Sequence, residues 1–314
     1  MIYVLYLCVA CGVTLLSIKA ADYVDLIDRK TSLSGAFIGG IMLSAVTSLP
    51  ELFTSISSTL MLNEPGLCIG NILGSDLFNL TMLAILLLIS FKEFSNYSVS
   101  RSHNVVIFSI IVCYIAIVGN MLGFLNIDVI TVSITSIIII GCYIVSFKHL
   151  ASEDGSVDEE FEDTSLSLKD IVVRFIIVSI GIIALSIIIS YVTDDISIKL
   201  NLGKGIAGAI FMGIATSLPE VTSSIALVKK KKYDIAIGNI VGSNIFNLGI
   251  MAVVDILYVK GGIYDFTDPK TVILLISGLV GTTFMYLAVK FDNKYLKIFS
   301  LLSVVMCYVA FLVI

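Results

Sequence analysis

The stretches "LSAVTSLPELFTSI" at residues 43–56 and "GIATSLPEVTSSI" at 213–225 each set a proline and then a glutamate in the middle of an apolar run. The five letters TSLPE are identical in both. A second matched pair follows, "IGNILGSDLFNL" at 69–80 and "IGNIVGSNIFNL" at 237–248. The offset is 169 residues for the first pair (220 − 51) and 168 for the second (247 − 79), so two separate blocks stay in register to one residue. A chain that repeats itself this way is built from two related halves.

What surrounds the blocks identifies the solvent. Of 314 residues 58% are apolar and 14% charged, and the mean hydropathy is +1.05, far from the values of soluble domains. Runs of the roughly 20 residues that hydrocarbon demands recur along the chain. They lie near 2–19, 35–62, 66–90, 104–122, 127–147, 169–192, 204–228, 234–258, 271–289 and 295–313. The pattern predicts an all-α polytopic membrane protein of ten transmembrane helices, with no soluble domain. Small residues at Ala20 and Ala21 give the first run a look of a signal peptide, but it lacks a basic leading segment and is long enough to span.

Charge gives the direction. With ten spans and the amino terminus outside, fifteen of the nineteen basic residues fall on the cytoplasmic side, among them Lys229 to Lys232. Only Lys199, Lys204, Lys260 and Lys270 are left outside. Both termini are then outside. Five spans, an odd number, separate the repeated blocks, so the copies enter the membrane from opposite sides as two inverted five-helix repeats. The connectors agree: Asn63-Glu64-Pro65 after the first TSLPE run carries no basic residue, whereas the lysine run follows the second. This gives a first half at 1–148 and a second at 169–314. The linker at 149–168 between them holds Glu153, Asp154, Asp158, Glu159, Glu160, Glu162 and Asp163. Clustered carboxylates attract cations, but the spacing is not that of a calcium-binding loop, and a solvated linker is the simpler expectation.

The six cysteines lie in or at the edge of apolar runs without metal-type or disulfide-type spacing, and they read as small hydrophobic fillers. Net charge is −5, much of it from the acidic linker, and it says little about partners.

A proline within a helix removes one donor and pushes against the carbonyl four residues earlier. Pro50 should therefore loosen the helix at Val46, and Pro219 at Ala215. Such backbone is tolerated at membrane depth only where it is buried in protein or lines a wet cavity, as in the broken helices that hold ions in transporters. Glu51 and Glu220 follow the prolines directly, and a carboxylate at that depth marks a functional site. Around them the repeats supply hard oxygens: Thr47, Ser48, Ser75 and Asn79 in one half, Thr216, Ser217, Ser243 and Asn247 in the other. Ser75 and Asn79 are four apart and share a helix face, as do Ser243 and Asn247. Glycines at 70, 74, 238 and 242 allow close helix approach. The set suits a hard cation such as calcium or sodium, with no thiolate or imidazole for a softer metal. Thr54 and Ser223 could equally bond their own helix backbone.

At these residues the sequence resembles the calcium/cation antiporter superfamily, in its sodium/calcium exchanger branch. The two repeats of that branch carry a G-T-S-L-P-E type segment followed by G-N-x-x-G-S-x-x-x-[ND]. The resemblance implies inverted halves with cation sites between the second, third, seventh and eighth helices, and alternating access by sliding of the first and sixth. Carried over by motif, Glu51 and Glu220 would be shared calcium and sodium ligands, with the eight Ser, Thr and Asn residues around them.

One departure bears on coupling. The second repeat of sodium-coupled members usually ends its motif in aspartate, where this chain has Asn247, while Asp76 stands in the first repeat opposite Asn244. Asp76 is three residues from Asn79, so its carboxylate reaches the cavity flank or faces another helix or water. Three carboxylates suit exchange of three sodium ions for one calcium; two also suit a proton-coupled exchanger.

The expected activity is therefore calcium/sodium antiport with no enzymatic step and no cofactor, in the cell membrane. The partners would be lipid and the transported ions, with no nucleic acid, and the working unit a monomer. A proton/calcium or broader divalent-cation antiporter is the first alternative. An intramembrane hydrolase would want an asymmetric pair and an attacking water, and a channel would not need opposed broken helices.

Overall fold

The computed structural model describes residues 2–30, 43–129, 131–151, 166–229, 231 and 233–314. In chain order, α1 is Ile2–Lys30, α2 Leu43–Thr47 and α3 Leu49–Ile56, continued by a π-wound segment π1 at Ser57–Met61. Next come α4 (Pro65–Ile89), the short α5 (Phe91–Phe94), α6 (Arg101–Met121), a hairpin of β1 (Asp128–Val129) and β2 (Val132–Ser133), and α7 (Ile134–Ala151). After them are α8 (Leu168–Leu200), α9 (Lys204–Ala207), a second π segment π2 (Gly208–Gly213), α10 (Ile214–Lys229), α11 (Tyr233–Leu257), α12 (Pro269–Lys290) and α13 (Lys294–Val313). Eight of these stretches are long and apolar enough to cross a bilayer, α9 to α10 counting as one, and Ile134–Leu150 is a shorter apolar helix. The molecule is an all-helical integral membrane protein, interrupted among the described residues only by the two-residue hairpin.

Three expectations from the sequence need correction. The run at 35–62 is not one helix: residues 35–42 lie outside the described residues, and the rest is divided at Ser48 and loosened into π1. Pro50 thus breaks its helix, but Pro219 does not: α10 runs straight through it, and the loosened winding falls earlier, in π2. Third, the run at 127–147 becomes helical only at Ile134. The chain before it pairs Asp128 with Ser133 and Val129 with Val132. The buried Asp255 fixes that start, its Oδ2 accepting from Ser133 N at 2.9 Å and Ser136 Oγ at 2.7 Å. The backbone groups a longer helix would use are taken by a long-range partner. Of the cysteines, Cys68 and Cys113 are buried as expected of fillers, but Cys8 and Cys11 are exposed on α1. The acidic stretch 153–163 lies outside the described residues.

The repeated IGN blocks put α4 and α11 at the centre. Their most apolar windows are 67% and 72% buried, against 22% for α1 and 17% for α8, which pack on each other at the periphery. Lipid is apolar too, so exposed isoleucines such as Ile176, Ile177 and Ile180 on α8 are in their proper solvent. What holds the centre together is close approach. A Cβ on Gly70 would lie 2.0 Å from Gly205 O, and one on Gly74 would lie 2.4 Å from Ala209 Cα, so α4 and the α9–π2 stretch touch backbone to backbone. Gly238, the equivalent of Gly70 in α11, packs instead against the imidazole of His103.

Candidate functional site

Each TSLPE segment is anchored by the other half of the chain. Ser217 Oγ donates to Glu51 Oε1 at 3.2 Å, and Ser48 Oγ donates to Glu220 Oε1 at the same distance. The two bonds are reciprocal: each serine lies three residues before its own glutamate and serves the glutamate of the opposite repeat. Both carboxylates are fully buried, and no described lysine or arginine pairs with them. The second oxygen of each, Glu51 Oε2 and Glu220 Oε2, has no hydrogen-bond partner. An ionised carboxylate in that position must take up a cation or a proton.

Two asparagines that the sequence reading passed over hold these segments in place. Asn71 Nδ2 lies within hydrogen-bond distance of Glu51 O (3.3 Å), Thr54 Oγ1 (2.9 Å) and Ser55 Oγ (3.0 Å). Asn239 Nδ2 repeats the pattern on Glu220 O (3.4 Å), Ser223 Oγ (3.1 Å) and Ser224 Oγ (3.3 Å). Each thereby fastens the carbonyl of a glutamate whose side chain must stay free. Their signal was available, since both stand at the N of the repeated IGN. Thr54 and Ser223 do bond their own helices, Thr54 Oγ1 to Pro50 O at 2.7 Å and Ser223 Oγ to Pro219 O at 3.0 Å.

The remaining candidates fall into two groups. Thr47 Oγ1 donates to Ser44 O at 3.3 Å, Thr216 Oγ1 to Met212 O at 3.0 Å, and Ser75 Oγ to Gly213 O at 3.2 Å, which braces the broken or π-wound turns, and Thr47 and Thr216 also lie against the carboxyls of Glu220 and Glu51. Ser243 Oγ is buried and unpartnered. The amides form a layer between α4 and α11: Asn79 Nδ2 donates to Asn244 Oδ1 at 3.1 Å, Asn247 Nδ2 to Asp76 Oδ1 at 3.1 Å, and Asn244 Nδ2 to Asp76 O at 3.0 Å. Asp76 therefore faces the other repeat rather than water or lipid.

The unpartnered atoms share a character. Glu51 Oε2, Glu220 Oε2, Asp76 Oδ2, Asn79 Oδ1 and Asn247 Oδ1 are all buried acceptors without a donor. Native interiors seldom leave such atoms unsatisfied, and oxygens of this kind are what a hard cation binds. Among the described residues no three His, Cys, Asp or Glu side chains close on one point. A cation here would depend on carboxylates combined with amide and hydroxyl oxygens.

A family described as "Sodium/calcium exchanger protein" matches residues 1–148 and 171–314. An uncharacterized membrane protein of Methanocaldococcus jannaschii is 27% identical over 228 residues, 72% of this chain and 71% of that protein. Two solved structures share the fold. One is the sodium-calcium exchanger NCX_Mj, with a TM-score of 0.61 and 21% identity, covering 98% of this chain and 99% of that one. The other is the H+/Ca2+ exchanger CAX, with a TM-score of 0.76 and 12% identity, covering 100% and 82%. The family match runs through both halves that the reciprocal serine–glutamate bonds tie together, and the chain belongs to the sodium/calcium exchanger family, whose members are membrane transporters and not enzymes.

Proposed function

We propose that the protein is a secondary antiporter that moves calcium against sodium by alternating access. In this reading ten transmembrane helices form two inverted five-helix halves, 1–148 and 169–314, joined by a cytoplasmic linker at 149–168. Both termini face outward from the cell membrane, and the monomer is the working unit. Glu51 and Glu220 are the shared ligands, with Thr47, Ser48, Ser75, Asn79, Thr216, Ser217, Ser243 and Asn247 completing the oxygen set and Asp76 beside it.

The observation that carries the reading is the reciprocal bonding of two buried carboxylates, each left with one bare oxygen. Neither half has a site alone, and an ion bound between them senses any movement of one half against the other. The sodium assignment rests on charge. Glu51 and Glu220 balance one calcium ion, and Asp76 adds the third negative charge that sodium coupling uses.

A proton/calcium antiporter is the second reading. Asn247 is neutral, no third carboxylate closes with the two glutamates on one point among the described residues, and CAX has the same fold. Flux in sealed vesicles separates the two. Calcium uptake driven by an outward sodium gradient and insensitive to an imposed pH gradient supports sodium coupling. Uptake driven by the pH gradient and indifferent to sodium overturns it.

A further inference from the structure

A row of hydroxyls leads from Glu51 to one end of the bundle. On α8, Ser186, Ser190, Thr193 and Ser197 are spaced four, three and four residues apart, which puts them on one face, and all are at most 1% exposed. That face meets α3 and π1. Ser190 Oγ lies 2.6 Å from Ser57 Oγ and donates to Thr54 O at 3.3 Å, while Thr54 Oγ1 bonds Glu51 O at 3.1 Å. The hydroxyls of Ser186 and Thr193 on one side, and of Thr59 on the other, are buried without a partner. Three buried hydroxyls left open along one interface can be served by water or by a passing cation.

The seam ends at charges. Asp194 follows Thr193, and the Glu64 N–H donates to Ser58 O at 2.9 Å, within π1. Between the two carboxylates sits the ammonium of Lys204, hydrogen-bonded to Asp194 Oδ1 and 3.6 Å from Glu64 Oε1. The three side chains are only 20–37% exposed, so they form a partly shielded mouth and not a solvated surface pair.

We propose that Asp194 and Glu64 form a docking site for the incoming cation at the end of this seam, and that the Lys204 ammonium occupies it as a tethered competitor until a divalent cation displaces it. The inference rests on the exchanger reading for its ligand class, but the glutamates at the centre have no part in it. A fixed ammonium between two carboxylates lowers the net charge of the mouth from −2 to −1 and so weakens the attraction for a passing cation, and removing it restores −2.

Two measurements test this on the full-length protein. In calcium flux with reconstituted vesicles, Lys204→Met should lower the apparent KM for calcium about threefold and steepen its dependence on ionic strength, leaving the maximal rate within about twofold. Lys204→Arg should keep the wild-type KM, and Asp194→Asn with Glu64→Gln should raise it. A KM that is the same in wild type, Lys204→Met and Lys204→Arg overturns the proposal, as does a fall in maximal rate alone. The second measurement needs no transport. Thr193→Cys with Lys204→Met should react with a small cationic thiol reagent faster than Thr193→Cys alone, the labelling of the native cysteines in the parent protein being subtracted from both. Equal rates remove the seam. Absence of flux in the wild type with either counter-ion would count against the exchanger reading, while the labelling comparison would still decide the mouth.

Discussion

The side-chain amide of Asn247 donates to Asp76 Oδ1 at 3.1 Å, and the repeat offset of 168 residues carries this contact onto its counterpart, Asn79 to Asn244 Oδ1, also at 3.1 Å. The positions exchange in matched order, 76 with 244 and 79 with 247. The two pairs differ in one atom, an oxygen in Asp76 where Asn244 has a nitrogen. That atom puts an ionisable carboxyl on one side of an otherwise matched layer and leaves Asp76 Oδ2 without a donor.

Asp76→Asn makes the two pairs chemically equal. With Asp76 holding a coupling ion, sodium-driven calcium flux should fall at least about tenfold, or 1.4 kcal/mol, while equilibrium calcium binding persists. Flux measured with and without a sodium gradient, alongside calcium binding in detergent, checks this. Unchanged sodium dependence would make Asp76 a structural partner of Asn247.

Glu51→Gln and Glu220→Gln keep shape and lose charge. Each should reduce calcium flux by about a hundredfold or more, since a charged ligand in a buried site is lost. The purified variants should elute as the wild type does in size-exclusion chromatography. Normal flux in either would displace the glutamates from the site.

Asn71 and Asn239 are expected to act through position. Asn71→Ala removes the donor that Glu51 O, Thr54 Oγ1 and Ser55 Oγ share, at a cost of about 1 kcal/mol, since Thr54 Oγ1 still bonds Pro50 O and Glu51 O. Thermal unfolding in detergent should show a lower midpoint, and calcium affinity should drop with it. Asn239→Ala should act in the same direction, because its Nδ2 makes the matching three contacts. Asn71→Asp should be worse than Ala, since it sets a carboxylate against the Glu51 carbonyl.

Gly70→Ala should fail to fold, since its Cβ would sit 2.0 Å from the Gly205 carbonyl oxygen, a backbone atom that cannot step aside. Gly281→Ala is the control. Its Cβ would meet Leu77 Cδ1 at 3.4 Å and Cys307 Cβ at 3.8 Å, ordinary contact distances, and expression and melting should be near wild type.

The sequence by itself determined the solvent and the helical class, and it singled out the candidate site. Apolar runs of bilayer length admit few other structures, and TSLPE written twice picks out two carboxylates that the fold buries and ties to each other's segment. Its local reasoning failed where long-range partners decide. Asp255 claims the backbone before Ile134 and shortens α7, and π2 takes up the irregular winding expected at Pro219. The sequence could place Asn71, Asn239 and Asp76 on helices but could not say what they face. Only the tertiary structure decided that Ser48 serves Glu220, that Ser217 serves Glu51 and that Asp76 meets Asn247. The physical reason is distance along the chain: these bonds join residues 166 to 172 positions apart, and no local periodicity specifies a contact between two halves until they pack.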